Sequence, residues 1–216
     1  MTRVLVFGDS NSWGTPSDGS GVRYDTKIRW PQVMATALGW ELAEENLPGR
    51  TTRHDDDMML GSAMNGLLHL PVALKSQSPV DWLLIMLGTN DFKARFGQDE
   101  TTIAASLMAL VDCARRVGSG KAAWDDETPP HVAVIVPPAL GKLADDASWE
   151  RFDEWKGGGD TSRRLGDVVR VQAKMREVPV FDAGFVVRSS KADPIHLDAR
   201  AQRALGLAVA EWLGSL

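Results

Sequence analysis

The chain has 216 residues, of which 44% are hydrophobic and 25% are charged, and its formal net charge is −5. These values match an ordinary globular domain and exclude a disordered, collagen-like or low-complexity chain. The single cysteine, Cys113, excludes an intrachain disulfide and a cysteine-rich metal cluster, and the acidic balance without a basic cluster argues against a nucleic-acid-binding surface.

Five short segments have the composition of β-strands. The predicted strands are residues 3–7, 41–46, 82–87, 131–136 and 178–181. The first, third and fourth contain continuous apolar runs, which are typical of strands buried on both faces of a parallel sheet. Because helical segments separate the strands by short connections, we expect one α/β domain over residues 1–216, with a doubly wound, five-stranded parallel sheet.

Apolar residues recur at helical spacing between these strands. The stripes run over residues 31–38, 103–117, 165–175 and 201–212, with a weaker helical pattern over residues 55–76. Gly39 and Gly118 follow two of the stripes, as expected at helix ends. Asp99 or Thr101 can cap the helix at 103–117, and Asp198 can cap the last helix.

Two longer stretches, residues 15–29 and 137–160, have no regular pattern and are predicted to be irregular. The second contains the run Gly157-Gly158-Gly159, which indicates a hinge or a loop. Both stretches are long enough to contact a neighbouring subunit, so we expect a homo-oligomer. The apolar run 4–7 is too short for a signal peptide, and no segment reaches the ~18 apolar residues of a membrane span. We therefore expect a cytoplasmic protein that does not bind membranes.

In a doubly wound sheet, ligands bind beyond the carboxyl ends of the strands, so functional residues should follow the strands directly. Small, polar or ionisable residues occur at four such places. They are Gly8-Asp9-Ser10-Asn11, Leu47-Pro48-Gly49-Arg50, Gly88-Thr89-Asn90-Asp91 and, before the last helix, Asp193-Pro194-Ile195-His196. We expect these four segments to converge on one edge of the sheet.

Three of these residues have the side chains that nucleophilic catalysis requires. A serine hydroxyl attacks a carbonyl at neutral pH only if a base removes its proton, so Ser10 needs a partner. His196 can be that base, because an imidazole titrates near neutral pH. Asp193 can accept a hydrogen bond from the second ring nitrogen and stabilise the imidazolium. The sequence thus predicts Ser10, His196 and Asp193 as catalytic residues.

The tetrahedral intermediate of acyl transfer carries an oxyanion that needs hydrogen-bond donors. The candidates are the main-chain N–H groups of Ser10 and Gly49 and the side-chain amide of Asn90. Glycine at position 49 lets the backbone approach a substrate closely. Asp9 and Asp91 are predicted to be structural residues that accept hydrogen bonds from loop N–H groups.

The four segments, in this order and at this spacing, resemble the four motif blocks of the SGNH (GDSL-type) hydrolase family over residues 8–196. The chain is most similar to the small bacterial arylesterase/acyltransferase branch. The resemblance implies a three-layer, flavodoxin-like α/β fold, with Ser10 as nucleophile, Asp193 and His196 completing a triad, and Gly49 and Asn90 in the oxyanion hole. Asn11 stands where the family name has leucine, which leaves substrate preference open.

Pocket residues, cofactors and partners follow from this interpretation. We predict that three apolar side chains wall the substrate pocket: Trp13, three residues from Ser10, Ile195, next to His196, and Phe152. We expect no cofactor and no catalytic metal, and as partners only a small ester with water or an alcohol. The run Asp55-Asp56-Asp57 beside His54 leaves metal-assisted hydrolysis as an alternative, although adjacent carboxylates point in different directions.

The expected function is a serine-dependent hydrolysis of short acyl esters of the arylesterase type, through an acyl-enzyme. The resemblance implies that transfer of the acyl group to alcohols can accompany hydrolysis. An acetyl-esterase acting on carbohydrates or a lysophospholipase would use the same mechanism on another substrate. A non-catalytic α/β binding module that retains the scaffold is the alternative from a different functional class.

Overall fold

The computed structural model describes residues 1–122 and 128–216, and a five-stranded sheet forms its centre. The strands are β1 (Arg3–Gly8), β2 (Glu41–Asn46), β3 (Trp82–Met86), β4 (His131–Val136) and β5 (Val180–Asp182). All neighbouring pairs are parallel, and the order across the sheet is β2-β1-β3-β4-β5. This confirms the predicted α/β class with a doubly wound parallel sheet.

Strand composition explains the order of the strands in the sheet. The three apolar strands β1, β3 and β4 occupy the interior, and nearly all of their residues are buried. The edge strand β2 contains three glutamates and is only partly buried, as is β5 at the other edge. An edge strand has solvent on one side, so polar residues are tolerated there.

Helices cover both faces of the sheet, which gives three layers. They are α1 (Ser10–Trp13), α2 (Trp30–Leu38), α3 (Gly66–Gln77), α4 (Glu100–Val117), α5 (Phe152–Trp155), α6 (Gly158–Lys174) and α7 (Ala199–Leu213). Helices α3, α4 and α6 pack on the face formed by Leu5, Phe7 and Ile85. Helices α2 and α7 pack on the opposite face, against Val4 and Val6.

The predicted helix ends are confirmed where a cap residue marks them. Asp99 caps α4 by accepting a hydrogen bond from Thr102 N–H, and Gly118 ends that helix. Asp198 caps α7 in the same way through Ala201 N–H. Gly39 follows α2 in the left-handed conformation, with φ of 66°. A side-chain acceptor at the first turn and a glycine after the last turn satisfy backbone groups that the helix itself leaves unpaired.

Two predicted elements differ from the structure in extent. The strand predicted at 178–181 begins only at Val180, because Val178 N–H donates to the carbonyl of Ala173 at the end of α6 and Pro179 has no N–H. The helix predicted at 55–76 begins at Gly66, after a single 3₁₀ turn, Ser62–Met64. In the preceding turns, the main chain of Asp56 pairs with that of Gly61.

The stretch 137–160 is less irregular than predicted. It contains α5 and the first turn of α6, so the run of three glycines is not a hinge. A Cβ atom on Gly158 would lie 2.6 Å from the carbonyl oxygen of Phe92, and one on Gly159 would overlap the Asp145 carboxylate. These glycines therefore allow α6 to begin in close contact with two neighbouring loops.

The fold brings the carboxyl end of β1, which leads directly to Ser10, to the centre of the sheet edge where neighbouring loops meet. From β1 the chain continues to β2 on one side of the sheet, whereas from the adjacent β3 it continues to β4 on the other side. Ligands bind at such a switch point in doubly wound folds. Among the helices in residues 1–122 and 128–216, none combines the length and the apolar character that crossing a bilayer would need.

Candidate active site

Ser10 is the first residue of α1, and only Asp9 separates it from the end of β1 at Gly8. Asp9 caps this short helix, since its Oδ1 accepts a hydrogen bond from Asn11 N–H at 2.9 Å. The helix ends after one turn at Gly14, which has φ of 94°. The hydroxyl of Ser10 lies on a tight strand–turn–helix corner and faces a cavity, although the residue is only 5% exposed.

His196 and Asp193 form a continuous hydrogen-bonded chain with Ser10. The Nε2 atom of His196 lies 3.0 Å from Ser10 Oγ, and its Nδ1 atom lies 2.6 Å from Asp193 Oδ2. Both distances are within the reach of hydrogen bonds between a nucleophile, a base and an orienting carboxylate. The structure thus brings together three side chains that lie up to 186 residues apart in sequence.

Asp193 is held in the orientation that this chain of hydrogen bonds requires. Its Oδ1 atom accepts hydrogen bonds from the main-chain N–H groups of Ile195 and His196, at 2.8 and 3.2 Å. Burial alone would raise the pKa of Asp193, but the hydrogen bonds and the charge of His196 outweigh it and lower the pKa below its usual range. Asp193 is therefore ionised at neutral pH and can stabilise an imidazolium.

Two further donors face the same cavity as Ser10. Gly49 has φ of 90°, a conformation that other residues rarely adopt, and its main chain lines the cavity. Asn90 also lines the cavity, and its side-chain NH₂ donates one hydrogen to the carbonyl of Arg50 at 3.1 Å. An amide NH₂ carries two hydrogens, so a second N–H of Asn90 can bind an oxyanion.

Buried carboxylates stabilise the loops that carry these donors. Asp91 accepts hydrogen bonds from the main-chain N–H of Thr52, at 3.0 Å, and from the Thr52 hydroxyl. Burial raises the pKa of Asp91 and raises that of Asp9 to about 6. Both carboxylates accept hydrogen bonds from loop N–H groups beside Ser10 and Asn90, as the sequence predicts.

The cavity has a volume of about 840 Å³ and an outer wall of mixed chemistry. This volume lies within the range of small-molecule sites. Besides Ser10, Gly49, Asn90 and His196, its lining comprises Thr15, Pro48, Met58, Met59, Lys93, Arg95, Arg151, Asp153, Glu154, Trp155 and Ile195. Apolar side chains lie beside charged ones of both signs, so the cavity can accept a small ester with an apolar or a polar alcohol group.

A partly buried network of charges, absent from the sequence-based predictions, forms part of the lining. Asp56 is fully buried and accepts hydrogen bonds from Lys93, at 3.4 Å, and from Arg95, at 2.6 Å. Arg95 also contacts Glu154 at 3.3 Å, and Arg151 pairs with Glu154 at 2.8 Å. Burial lowers the pKa of Lys93. The network ties α5 to the loops that carry Asp56 and Lys93.

Of the three predicted pocket residues, only Ile195 lines the cavity. Trp13 does not, because the 15–29 stretch folds back over it. Arg23 lies 4.9 Å from the centre of the Trp13 ring and donates a hydrogen bond to its carbonyl. Phe152 is also absent from the lining, since α5 presents Trp155 there instead. The predictions for Trp13 and Phe152 as pocket walls are therefore corrected.

The acidic run beside His54 does not form a shared binding site. Asp56 belongs to the charge network, whereas Asp55 accepts a hydrogen bond from Asn65 at 2.9 Å. The ring of His54 stacks on Phe96 at 5.3 Å. Among residues 1–122 and 128–216, no group of three or more histidine, cysteine, aspartate or glutamate side chains is arranged to hold a metal ion.

Asn11 is placed differently from what the sequence suggests. Because Asn11 stands where the family name has leucine, the sequence leaves substrate preference open at this position. In the structure, however, the side chain of Asn11 does not line the cavity. It is buried behind Ser10 and hydrogen-bonds to the main chain of Ile195 and Leu197.

Comparisons with known proteins show the family of this chain. A sequence model of the GDSL-like lipase/acylhydrolase family matches residues 6–204. Est24, a carbohydrate acetylesterase from Sinorhizobium meliloti, is 32% identical with a TM-score of 0.90, covering 100% of this chain and 99% of its own. The inhibitor-bound aryl esterase of M. smegmatis is 35% identical with a TM-score of 0.90, covering 100% of both chains. Comparison with curated protein sequences finds no match. The chain thus belongs to the GDSL-like lipase/acylhydrolase family and is a carboxylic ester hydrolase.

Proposed function

We propose that the protein hydrolyses small carboxylic esters through an acyl-enzyme formed on Ser10. The observation that carries this proposal is the unbroken chain from Ser10 Oγ to His196 Nε2, at 3.0 Å, and from His196 Nδ1 to Asp193, at 2.6 Å, at the floor of a cavity. Few structural roles would require a serine, an imidazole and an ionised carboxylate in this order.

The first half of the reaction forms the acyl-enzyme. With Nδ1–H donating to Asp193, the Nε2 atom of His196 faces the Ser10 hydroxyl and takes its proton as Oγ attacks the ester carbonyl. The main-chain N–H groups of Ser10 and Gly49 and the side chain of Asn90 donate to the resulting oxyanion. His196 then gives the proton to the departing alcohol, and the acyl group stays on Ser10 Oγ.

The second half repeats these steps with water. His196 takes a proton from the water as it attacks the acyl carbonyl, and returns that proton to Ser10 as the acid leaves. An alcohol that occupies the place of the water would receive the acyl group instead, so the proposal includes acyl transfer. Adding a primary alcohol to the assay and measuring the new ester would show how far transfer competes with hydrolysis.

The lining of the cavity supports two candidate substrate classes. Ile195, Trp155 and the two methionines offer apolar contacts, which favour short acyl esters of aryl alcohols, as in the M. smegmatis aryl esterase. The charged side chains in the same lining, among them Arg151 and Asp153, can hydrogen-bond to hydroxyl groups. They favour acetylated carbohydrate as the second candidate, as in Est24. The ratio of kcat/KM for phenyl acetate and for an acetylated sugar decides between the two.

Labelling with an organophosphonate tests the serine mechanism itself. We expect a mass increase on the peptide that contains Ser10, with loss of both labelling and activity in Ser10→Ala. Ser12→Ala is the matched control, because Ser12 lies two residues away, is buried and does not line the cavity. This control should label and turn over as the wild type does. Absence of labelling together with full activity of Ser10→Ala would refute the mechanism and favour metal assistance, which a chelator would then abolish.

A further inference from the structure

The side chain of Asn11 reaches the main chain on both sides of His196. Its Nδ2 atom donates to the carbonyl of Ile195 at 3.1 Å, and its Oδ1 atom accepts from the N–H of Leu197 at 3.1 Å. A residue in a parallel strand makes the same pair of hydrogen bonds to the two neighbours of the residue opposite it. The amide of Asn11 therefore acts as one rung of a parallel ladder that is centred on His196.

Asn11 is itself firmly held beside Ser10. Its main-chain N–H donates to Asp9 Oδ1 at 2.9 Å, in the capped first turn of α1 that also carries Ser10. The residue is 1% exposed. Because Asn11 directly follows Ser10 in the chain, the position of its side chain is tied to the position of the nucleophile.

The segment that carries His196 has little regular structure of its own. No helix or strand occurs between Phe185 and the start of α7 at Ala199. The hydrogen bond from Gly141 N–H to the Pro194 carbonyl, at 2.8 Å, attaches it to another loop, whereas the bond from Ser190 N–H to the His196 carbonyl, at 2.9 Å, lies within the segment itself. Asn11 instead attaches this segment to the one that carries the nucleophile.

From this geometry we infer that Asn11 is a positioning residue for ester hydrolysis, which fixes His196 Nε2 at hydrogen-bonding distance from Ser10 Oγ. The inference rests on the proposed function, since it requires His196 to act as the base for Ser10. A displacement of about 1 Å between reacting groups can lower a rate about a hundredfold. Asn11 does not line the cavity, so its loss should lower kcat and leave KM nearly unchanged.

Gln202 supplies a matched control for a purely structural role. It is fully buried and bonds to the Asn11 carbonyl and, through Oε1, to Trp30 N–H at 3.0 Å. Gln202→Met removes two hydrogen bonds from the same buried polar cluster, as Asn11→Leu does, but it leaves the hydrogen bonds to Ile195 and Leu197 in place. Both variants should lower the melting temperature, because both leave buried polar groups unpaired.

The experiment measures kcat and KM for phenyl acetate, the rate at which an organophosphonate labels Ser10, and thermal unfolding. We expect Asn11→Leu to lower kcat and the labelling rate by the same factor, between about 10 and 100, with KM within about twofold. Gln202→Met should keep kcat within about threefold of wild type. If the leucine variant does not fold, Asn11→Ala replaces it, because the smaller side chain leaves room for water to bond the freed main-chain groups.

Two results would overturn the inference. One is a folded Asn11 variant whose kcat and labelling rate stay near those of the wild type. The other is an equal loss of kcat in Gln202→Met, which would show that any damage to the buried cluster has the same effect. Failure of the proposed function gives a different result: the wild type is then not labelled and Ser10→Ala stays active, which removes the basis of the inference as well.

Discussion

Replacing Asp193 by asparagine tests the chain of hydrogen bonds with a change of only one atom. In the structure, Oδ1 of Asp193 accepts from the main-chain N–H groups of Ile195 and His196, and Oδ2 faces His196 Nδ1. An asparagine can satisfy the two main-chain donors only with its oxygen, so its NH₂ group must face Nδ1. Nδ1 then becomes an acceptor, and the ring proton moves to Nε2, where it points at Ser10 Oγ.

An imidazole in this tautomer cannot take the proton of Ser10. The same change in a serine protease lowers kcat about 10⁴-fold. We expect kcat of Asp193→Asn to fall by about 10³–10⁴-fold, which corresponds to about 4–5 kcal/mol in the activation barrier. KM should change little, because Asp193 does not line the cavity.

Steady-state kinetics with phenyl acetate, together with thermal unfolding, measure this effect. Asp198→Asn is the matched control, since Asp198 lies two residues beyond His196 and caps α7 through Ala201 N–H at 2.7 Å. Asparagine caps helices as well as aspartate does, so the control should keep its activity and stability. A folded Asp193→Asn variant that retains more than about a tenth of the wild-type kcat would refute the tautomer argument.

Three further substitutions test other parts of the account. Asn90→Ala should lower kcat about 10²–10³-fold with KM nearly unchanged, because an oxyanion donor is lost; steady-state kinetics that show a normal kcat would contradict this. Burial raises the pKa of Asp9 from 3.8 to about 6, so the folded state loses stability as the pH rises from about 4 to about 6, and the loss stays constant above that. Asp9→Asn should therefore be more stable than wild type at pH 8 by up to about 3 kcal/mol, and this difference should shrink as the pH falls from 6 to 4. Urea unfolding of both proteins at pH 8 and at pH 4 measures the difference in their free energies of unfolding. An equal difference at the two pH values would contradict the prediction. Asp56→Asn removes an anionic partner of buried Lys93 and should cost about 3 kcal/mol of stability in the same unfolding assay, whereas a cost below about 1 kcal/mol would show that the network contributes little.

Local sequence patterns predict most of the fold because burial determines the composition of each strand. The apolar runs in β1, β3 and β4 predict interior strands of a parallel sheet, and the structure places all three in the interior. Caps such as Asp99 and Asp198 predict where helices begin because each interacts with N–H groups in its own first turn. The residues of the candidate site can be predicted in the same way, because each lies shortly after a strand or just before the last helix.

Contacts between distant segments are the part that local patterns cannot predict. Lys93 meets Asp56 from 37 positions away, so the charge network has no local signal. For the same reason Trp13 and Phe152 were wrongly predicted to wall the pocket, since the 15–29 stretch covers Trp13 and α5 presents Trp155 to the cavity in place of Phe152. The role of Asn11 became visible only once Ile195 and Leu197 were placed beside it. The expected homo-oligomer stays a prediction, which analytical ultracentrifugation can test.

The most direct test of the central claim is to look for the acyl group on Ser10 during turnover. The enzyme is mixed with phenyl acetate, quenched in acid during the reaction, and digested for mass spectrometry of its peptides. We expect one acetyl group, located on Ser10, in the wild type and in Ser12→Ala, and none in Ser10→Ala, which should also be inactive. An acetyl group on another residue, or full turnover by Ser10→Ala, would contradict this claim.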